Sequence, residues 1–341
     1  MAWPALSVSW PASEIPPFFL MSSPFRRPVL RLRERSTAVL AGLAMLLLPA
    51  VLPPVTPAAA PLLPGAQAQQ KLLRISAIPD QKPETLNRLY PLLANELSRS
   101  LGVPVKYVPV TDYTAAVSAF RRGDLDLVWF GALTGVQARL QKPGARVIAQ
   151  RDIDASFQSF FIANTASGIK PIANQKGLSV LKGKRFTFGS ESSTSGRLMP
   201  QYFLGQAGVR LSDFAGGAPG FSSSHDATIA LVQSGAYQAG VVNEEVWQSN
   251  LSSGKTDPKK VIVIWRTPGY ANYHWLAQPN LDQRFGKGFT ARLQSTFVNL
   301  RASNPQQAQI LDLFGAKRFI PATPRLYDPI EKVGREIGKI R

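Results

Sequence analysis

The sequence contains no cysteine. That excludes a disulfide framework, a thiolate-bound metal, a cysteine nucleophile and a lipid-bearing cysteine. Histidine is almost as scarce: His225 and His274 are the only two, which excludes a multi-histidine metal centre. Acidic residues are few beside basic ones, 21 Asp and Glu against 39 Lys and Arg in 341 residues, a formal net charge of +18. Such an excess implies an anionic partner without naming it. Nucleic acid is disfavoured as that partner, because no helix-turn-helix, zinc or aromatic-basic platform motif is present. A Gly-x-Ser-x-Gly elbow and a Gly-x-x-x-x-Gly-Lys phosphate loop are missing too, so neither a serine-hydrolase motif nor a nucleotide loop is on offer.

What is present is unevenly distributed. Residues 1–68 hold 12 of the 28 prolines, five Arg and two Glu, a net charge of +3, which leaves +15 on the remainder. Arg26, Arg27, Arg31, Arg33 and Arg35 precede an apolar run from Ala38 to Leu48, and a Pro/Ala-rich stretch then ends in Ala66-Gln67-Ala68. A basic region, a short apolar core and an A-x-A site in that order are the parts of a secretory signal peptide. An N-terminal membrane anchor is the alternative, although the apolar run is short for a span and Pro49, Pro53 and Pro54 follow it. Either way the folded part is expected from about Gln69 and outside the cytoplasm, in the cell envelope.

From there the chain alternates between strand and helix patterns. Leu72–Ile78 reads as a strand, and Leu86, Leu89, Leu93, Leu97 and Leu101 mark one face of a helix that Gly102 stops and Pro91 should kink. Val105–Val110, Leu125–Phe130 and Arg146–Gln150 read as further strands, with helices between them. The pattern restarts at Phe157–Ala163 and continues through strands at Arg185–Phe188, Ala239–Val242 and Val261–Trp265. Leu281, Phe285, Phe289, Leu293 and Phe297, four apart, predict one long helix. The β-α-β-α-β order predicts layered α/β lobes. We expect two: a first lobe from 69–158 and 275–341, and a second, 159–274, inserted into it. Extended segments near Phe157–Ala163 and Tyr273–Ala277 would act as hinge strands, around which lobes close on a ligand.

The candidate site is Ser192-Ser193-Thr194-Ser195-Gly196, between a strand and the helix it opens. Hydroxyls together with the free N–H groups of a helix start make an oxyanion cradle. A plain helix N-cap uses the same residue types.

In this setting the chain resembles the periplasmic substrate-binding proteins of phosphonate, phosphite and phosphate ABC transporters. The resemblance rests on Ile78-Pro79-Asp80-Gln81, Val110-Thr111-Asp112-Tyr113, Asp126-Leu127-Val128-Trp129-Phe130-Gly131, Ser193-Thr194-Ser195-Gly196 with Pro200, Ser224-His225-Asp226-Ala227, and Gly235-to-Gly240 before Val241-Val242-Asn243. These stretches follow one another in the family's order and span nearly all of 70–335. The resemblance implies a type II periplasmic-binding-protein fold with two lobes and two crossovers. It further implies a non-catalytic receptor that binds a small phosphorus oxyanion, phosphonate or phosphite with phosphate as a further candidate, and hands it to a membrane permease. It implies Ser193, Thr194 and Ser195 as the oxyanion turn, Tyr113 and Phe130 as cleft residues of the first lobe, and His225, read as an imidazolium, as a ligand contact. Asn243 stands where the family commonly carries an acid. Phe130 has no hydroxyl to donate, in contrast to the tyrosine common near that position, and Thr134 offers one nearby. No cofactor and no metal is expected, and the protein is expected to be a monomer. Two other readings keep the same residues: an envelope enzyme acting on phosphate or phosphonate esters, and the ligand-sensing subunit of an envelope receptor.

Overall fold

The computed structural model describes residues 71–341. The export-signal pattern of residues 1–68 lies outside them. Among the described residues no helix is long and apolar enough to cross a membrane.

Among the described residues twelve strands run in chain order: β1 (Leu73–Ala77), β2 (Val105–Tyr107), β3 (Leu127–Phe130), β4 (Arg146–Val147), β5 (Ala149–Arg151), β6 (Ser159–Asn164), β7 (Phe186–Phe188), β8 (Gly220–Phe221), β9 (Ala239–Asn243), β10 (Val261–Arg266), β11 (His274–Ala277) and β12 (Phe319–Pro321). The α-helices are α1 (Pro83–Leu101), α2 (Tyr113–Arg122), α3 (Ala132–Gln141), α4 (Met199–Gln206), α5 (His225–Gln233), α6 (Glu244–Ser252), α7 (Leu281–Phe285), α8 (Phe289–Val298), α9 (Pro305–Phe314) and α10 (Asp328–Glu336).

Two five-stranded sheets share one topology. The first is ordered β2-β1-β3-β11-β4 and the second β8-β7-β9-β6-β10. In each, the first three strands are parallel and the fourth runs against both its neighbours. That fourth strand is the one arriving from the other lobe: β6 on the way out and β11 on the way back. β2 therefore corresponds to β8, β1 to β7 and β3 to β9, and the helix starts that follow them correspond as well. Loops at the carboxyl ends of such strands, where the order reverses, are where open α/β sheets bind ligands.

Local sequence explains most elements. Leu86, Leu89, Leu93, Leu97 and Leu101 of α1 are all buried, and Gly102 closes the helix at φ 68° with its N–H on Ser98 O at 3.0 Å. Gly102 suits that left-handed conformation because it has no Cβ. α1 runs through Pro91 as a single helix. Three expectations need correcting. Arg146–Gln150 is not one strand: β4 pairs with β11 and β5 with β12, so the chain changes sheets at Ile148. The single helix over Leu281–Phe297 is two, because Gly286 and Gly288 sit at φ 103° and 78°. Phe285 and Phe289 stack across that break at 4.6 Å, which keeps the apolar spacing of four in register and conceals the break in the sequence. The return crossover is Thr267–Asn272 rather than Tyr273–Ala277, since His274 already pairs with Phe130 in the first sheet. The lobe boundary accordingly falls before residue 274.

The crossovers meet at Phe157 and Tyr270, which exchange N–H···O bonds of 2.8 and 3.0 Å. Beneath them lies a buried ion pair. Arg151 donates to Asp154 through Nε at 2.7 Å and Nη2 at 2.9 Å, and through Nη1 to Phe314 O at 2.7 Å. Asp154 in turn accepts the Tyr273 N–H on its carboxylate and the Asn272 N–H on its carbonyl. The guanidinium lies 5.0 Å from the Tyr273 ring centre, 5.4 Å from Trp129 and 5.6 Å from Phe157. Burial works against its charge, but the Asp154 carboxylate outweighs burial and keeps it ionised. Removing one partner strands the other charge in an apolar setting. Arg151→Met should therefore lower unfolding stability by about 3–5 kcal/mol, and the double variant Arg151→Met, Asp154→Leu should lose clearly less; urea denaturation of both checks this.

Candidate functional site

The turn after β7 has an unusual backbone, set by its own residues. Ser193 accepts the Gly196 N–H on Oγ at 2.9 Å, and so is the cap. Residues Thr194–Leu198 then form one wide π-turn before α4 begins, with Leu198 N–H on Ser193 O at 3.0 Å. Pro200 has no N–H to give the Gly196 carbonyl one turn back, and that carbonyl accepts from Gly189 N at 2.9 Å instead. Single π-turns of this kind recur at functional sites. The opening N–H groups of Thr194 and Ser195 have no partner within the turn.

The three hydroxyls are buried and differently engaged. Ser193 is the cap just described. Thr194 Oγ1 reaches across to the first lobe and accepts the Leu133 N–H of α3 at 2.8 Å. Ser195 Oγ is buried with no hydrogen-bond partner. The closeness of the lobes here needs Gly131: a Cβ at that position would lie 3.2 Å from Thr194 Oγ1.

His225 is the first residue of α5, after Ser224, whose Oγ caps the helix through Ala227 N at 3.2 Å. Its Nδ1 accepts the Asn243 backbone N–H at 3.3 Å. An acceptor at Nδ1 places the proton on Nε2. Nε2 is buried and unpartnered, which makes it a free donor. Burial pushes the imidazole pKa down to about 3, so the side chain is neutral in this structure, not the imidazolium expected. The ring lies against the serine turn: a Cβ on Gly196 would meet His225 Cε1 at 3.1 Å.

Asn243 is fully engaged. Its Oδ1 caps α6 through Val246 N at 2.7 Å, and its Nδ2 donates to the Tyr273 phenol at 3.0 Å. It therefore places His225 and Tyr273 rather than offering a free group. Phe130 packs edge-on against Phe120 at 5.8 Å inside the first-lobe core, and what that strand end offers the site is the backbone beyond it. Thr134 spends its hydroxyl on Gly131 O at 3.0 Å. Tyr113, first residue of α2 and topological counterpart of His225, is buried with its phenol beside the Ser193 hydroxyl. The structure thus brings Ser193, Thr194, Ser195, Tyr113 and His225 together at the lobe junction, with Asn243 behind them and Phe130 turned away.

Two residues beside the site were not among its expected members, although Asp80 stands in one of the matching stretches. Asn272 accepts the Ala132 N–H on Oδ1 at 3.3 Å, while its Nδ2 is buried without a partner. It sits beside Gly131 and so beside Thr194. Its only trace in the sequence is a lone amide in the aromatic run Tyr270–Tyr273. Asp80, in the loop after β1, is buried beside the Tyr273 phenol, and burial pushes its pKa up to about 6. Arg197 lies within the turn, its side chain stacked between Phe188 at 4.4 Å and Phe221 at 5.1 Å, with Nε and Nη1 unpartnered. Burial lowers its pKa to about 10, so it carries its charge at neutral pH within the second lobe.

Ser195 Oγ, His225 Nε2 and Asn272 Nδ2 are thus uncharged donors, buried and without partners, at one junction of helix starts. Buried polar atoms in native proteins are nearly always satisfied, so a group of orphans calls for a guest. Donors without acceptors suit an oxyanion.

Comparison with known proteins agrees. The family model for the periplasmic substrate-binding protein of phosphonate ABC transporters matches residues 75–327. The chain is 54% identical over 271 residues to a probable ABC transporter phosphite binding protein of Prochlorococcus marinus, covering 80% of this chain and 91% of that one. It is 25% identical to the phosphonates-binding periplasmic protein of Escherichia coli, covering 79% and 77%. The solved structure of the Prochlorococcus protein PhnD1 with methylphosphonate superposes with a TM-score of 0.78 over 79% of this chain and 99% of that chain. A binding protein component of a phosphonate transporter from Pseudomonas aeruginosa shares the fold at a TM-score of 0.67 and 21% identity, covering 77% of this chain and 85% of that one. The match across both lobes, with the two-crossover topology, establishes that this chain belongs to the periplasmic substrate-binding proteins of phosphonate-type ABC transporters, a family of receptors and not of enzymes.

Proposed function

We propose that the chain binds a small phosphorus oxyanion, phosphite or methylphosphonate, between its lobes and delivers it as a monomer to the membrane permease of an ABC importer. Ser195, His225 and Asn272 hold the oxygens through their free donors, the N–H groups of the π-turn add to them, and Ser193, Thr194 and Tyr113 complete the shell. The observation that carries this reading is the trio of buried, unpartnered, uncharged donors. It is supported by the relatives, one named for phosphite and one solved with methylphosphonate. In the same reading residues 1–68 carry the export signal that takes the protein to the periplasm. A neutral cradle selects by geometry, while the net +15 of residues 69–341 raises the local concentration of anions.

Isothermal titration with phosphite, methylphosphonate, aminoethylphosphonate, phosphate and sulfate tests the proposal. Heat is expected with the first two, and its absence with every phosphorus anion overturns the ligand class. Each hydrogen bond to a charged group is worth about 1.5–3 kcal/mol, so Ser195→Ala and His225→Ala should each weaken binding roughly ten- to hundredfold. Unchanged affinity in both variants would move the site elsewhere.

Asp80 supplies a pH-dependent test. A carboxyl whose folded pKa of about 6 exceeds its ordinary 3.8 holds its proton more tightly when folded. Its contribution is complete below about 3.8 and is lost as pH rises through about 6. A shift of that size corresponds to about 3 kcal/mol. Relative to wild type, Asp80→Asn should thus gain stability between pH 4 and pH 8; urea midpoints that track the wild type at both ends would refute the assignment.

A further inference from the structure

Three consecutive residues at the start of α5 do three different jobs. Ser224 caps the helix, His225 faces the ligand site, and Asp226 reaches the other lobe. Asp226 Oδ2 accepts the backbone N–H of Lys82 at 2.9 Å, and Oδ1 accepts from Asn250 Nδ2 at 3.0 Å. Lys82 is the N-cap residue of α1, and its side chain makes no capping bond. The next residue, Pro83, has no N–H at all. The positive end of this 19-residue helix of the first lobe thus meets its carboxylate in the second lobe. Beside it, His225 N–H donates to Asp80 O at 3.1 Å, a second bond between the same two segments.

Asn250 and Asp226 both belong to the second lobe, so that contact survives any movement of one lobe against the other. The bond to Lys82 does not: it exists only while the lobes are together. Asp226 is 9% exposed, and opening returns its carboxylate to water. We propose that Asp226 is a closure latch, a positioning residue that tightens ligand binding by favouring the closed form without touching the ligand. The proposal rests on the reading of the lobe junction as a ligand site. A ligand that needs the closed form binds with an affinity scaled by the closed fraction, so a latch acts on that fraction. Because Asp226 adjoins His225, ligand capture and lobe capture are set by one rigid helix start.

The test compares wild type, Asp226→Ala and Asp226→Asn, with methylphosphonate and phosphite as probes. The absence of cysteine lets one dye-bearing cysteine be introduced on an exposed position of each lobe, so the inter-lobe distance is read directly. Asp226→Ala is expected to weaken binding about tenfold, chiefly through faster dissociation, and to reduce the closed fraction at matched ligand concentration. Asp226→Asn keeps an acceptor oxygen without the charge and should fall between. Affinity within about twofold of wild type overturns the latch. So does weaker binding with an unchanged closed fraction and a parallel loss of ligand-free thermal stability, which marks a structural role. If wild type binds neither probe, the ligand reading fails separately. The ligand-free distance distribution then still judges the latch, and a closed population absent from wild type or undiminished in Asp226→Ala overturns it.

Discussion

The buried pair of Arg151 and Asp154 is the constraint on which the rest of the molecule depends. It sits where the chain leaves the first lobe, and it also holds Tyr273 and Asn272 where the chain returns. Its geometry ties the outgoing and incoming crossovers to one point, stacked on Trp129, Phe157 and Tyr273. Two of the residues it steers, Asn272 and Tyr273, stand at the lobe junction, the first with a free amide and the second bonded to Asn243. Hinge and candidate site are consequently one piece of structure.

The donors of the site are built by withholding charge. Arg197 lies one turn from the serine hydroxyls but stacks between two phenylalanines, and His225 is kept neutral with its proton aimed away from Asn243. Uncharged donors have no preference for charge alone; they reward an anion whose oxygens match their positions. The glycines and the proline around the turn are the means. Gly131 and Gly196 let Thr194 and His225 approach, and Pro200 frees a carbonyl that fastens the turn to Gly189.

Much of the fold was legible because period and punctuation agree with burial. The leucine spacing of α1, the glycine stops and the β-branched runs lie close to where the elements begin and end. The failures are instructive for the same reason. Periodicity reports which face is apolar, and that face continues across Gly286 and Gly288 because Phe285 and Phe289 stack over the break. The run Arg146–Gln150 reads as one strand because sequence does not record which sheet each half joins. At the site, Ser193–Ser195 announce themselves by composition and by position between a strand and a helix. Phe130 shares the strand-end position but points into the core.

The sequence alone determined the alternation of strands and helices, the capped serine turn and the absence of any thiol or multi-histidine centre, since these follow from local backbone preference and residue chemistry. Tertiary structure alone decided the tautomer of His225, the free amide of Asn272, the engagement of Asn243 and the reach of Asp226 to α1. Apart from the local cap from Asn243 to Val246, these depend on partners 18 to 144 residues away in the chain. Hydrogen bonds and burial between segments that far apart are set by how the lobes pack, and no local pattern encodes them.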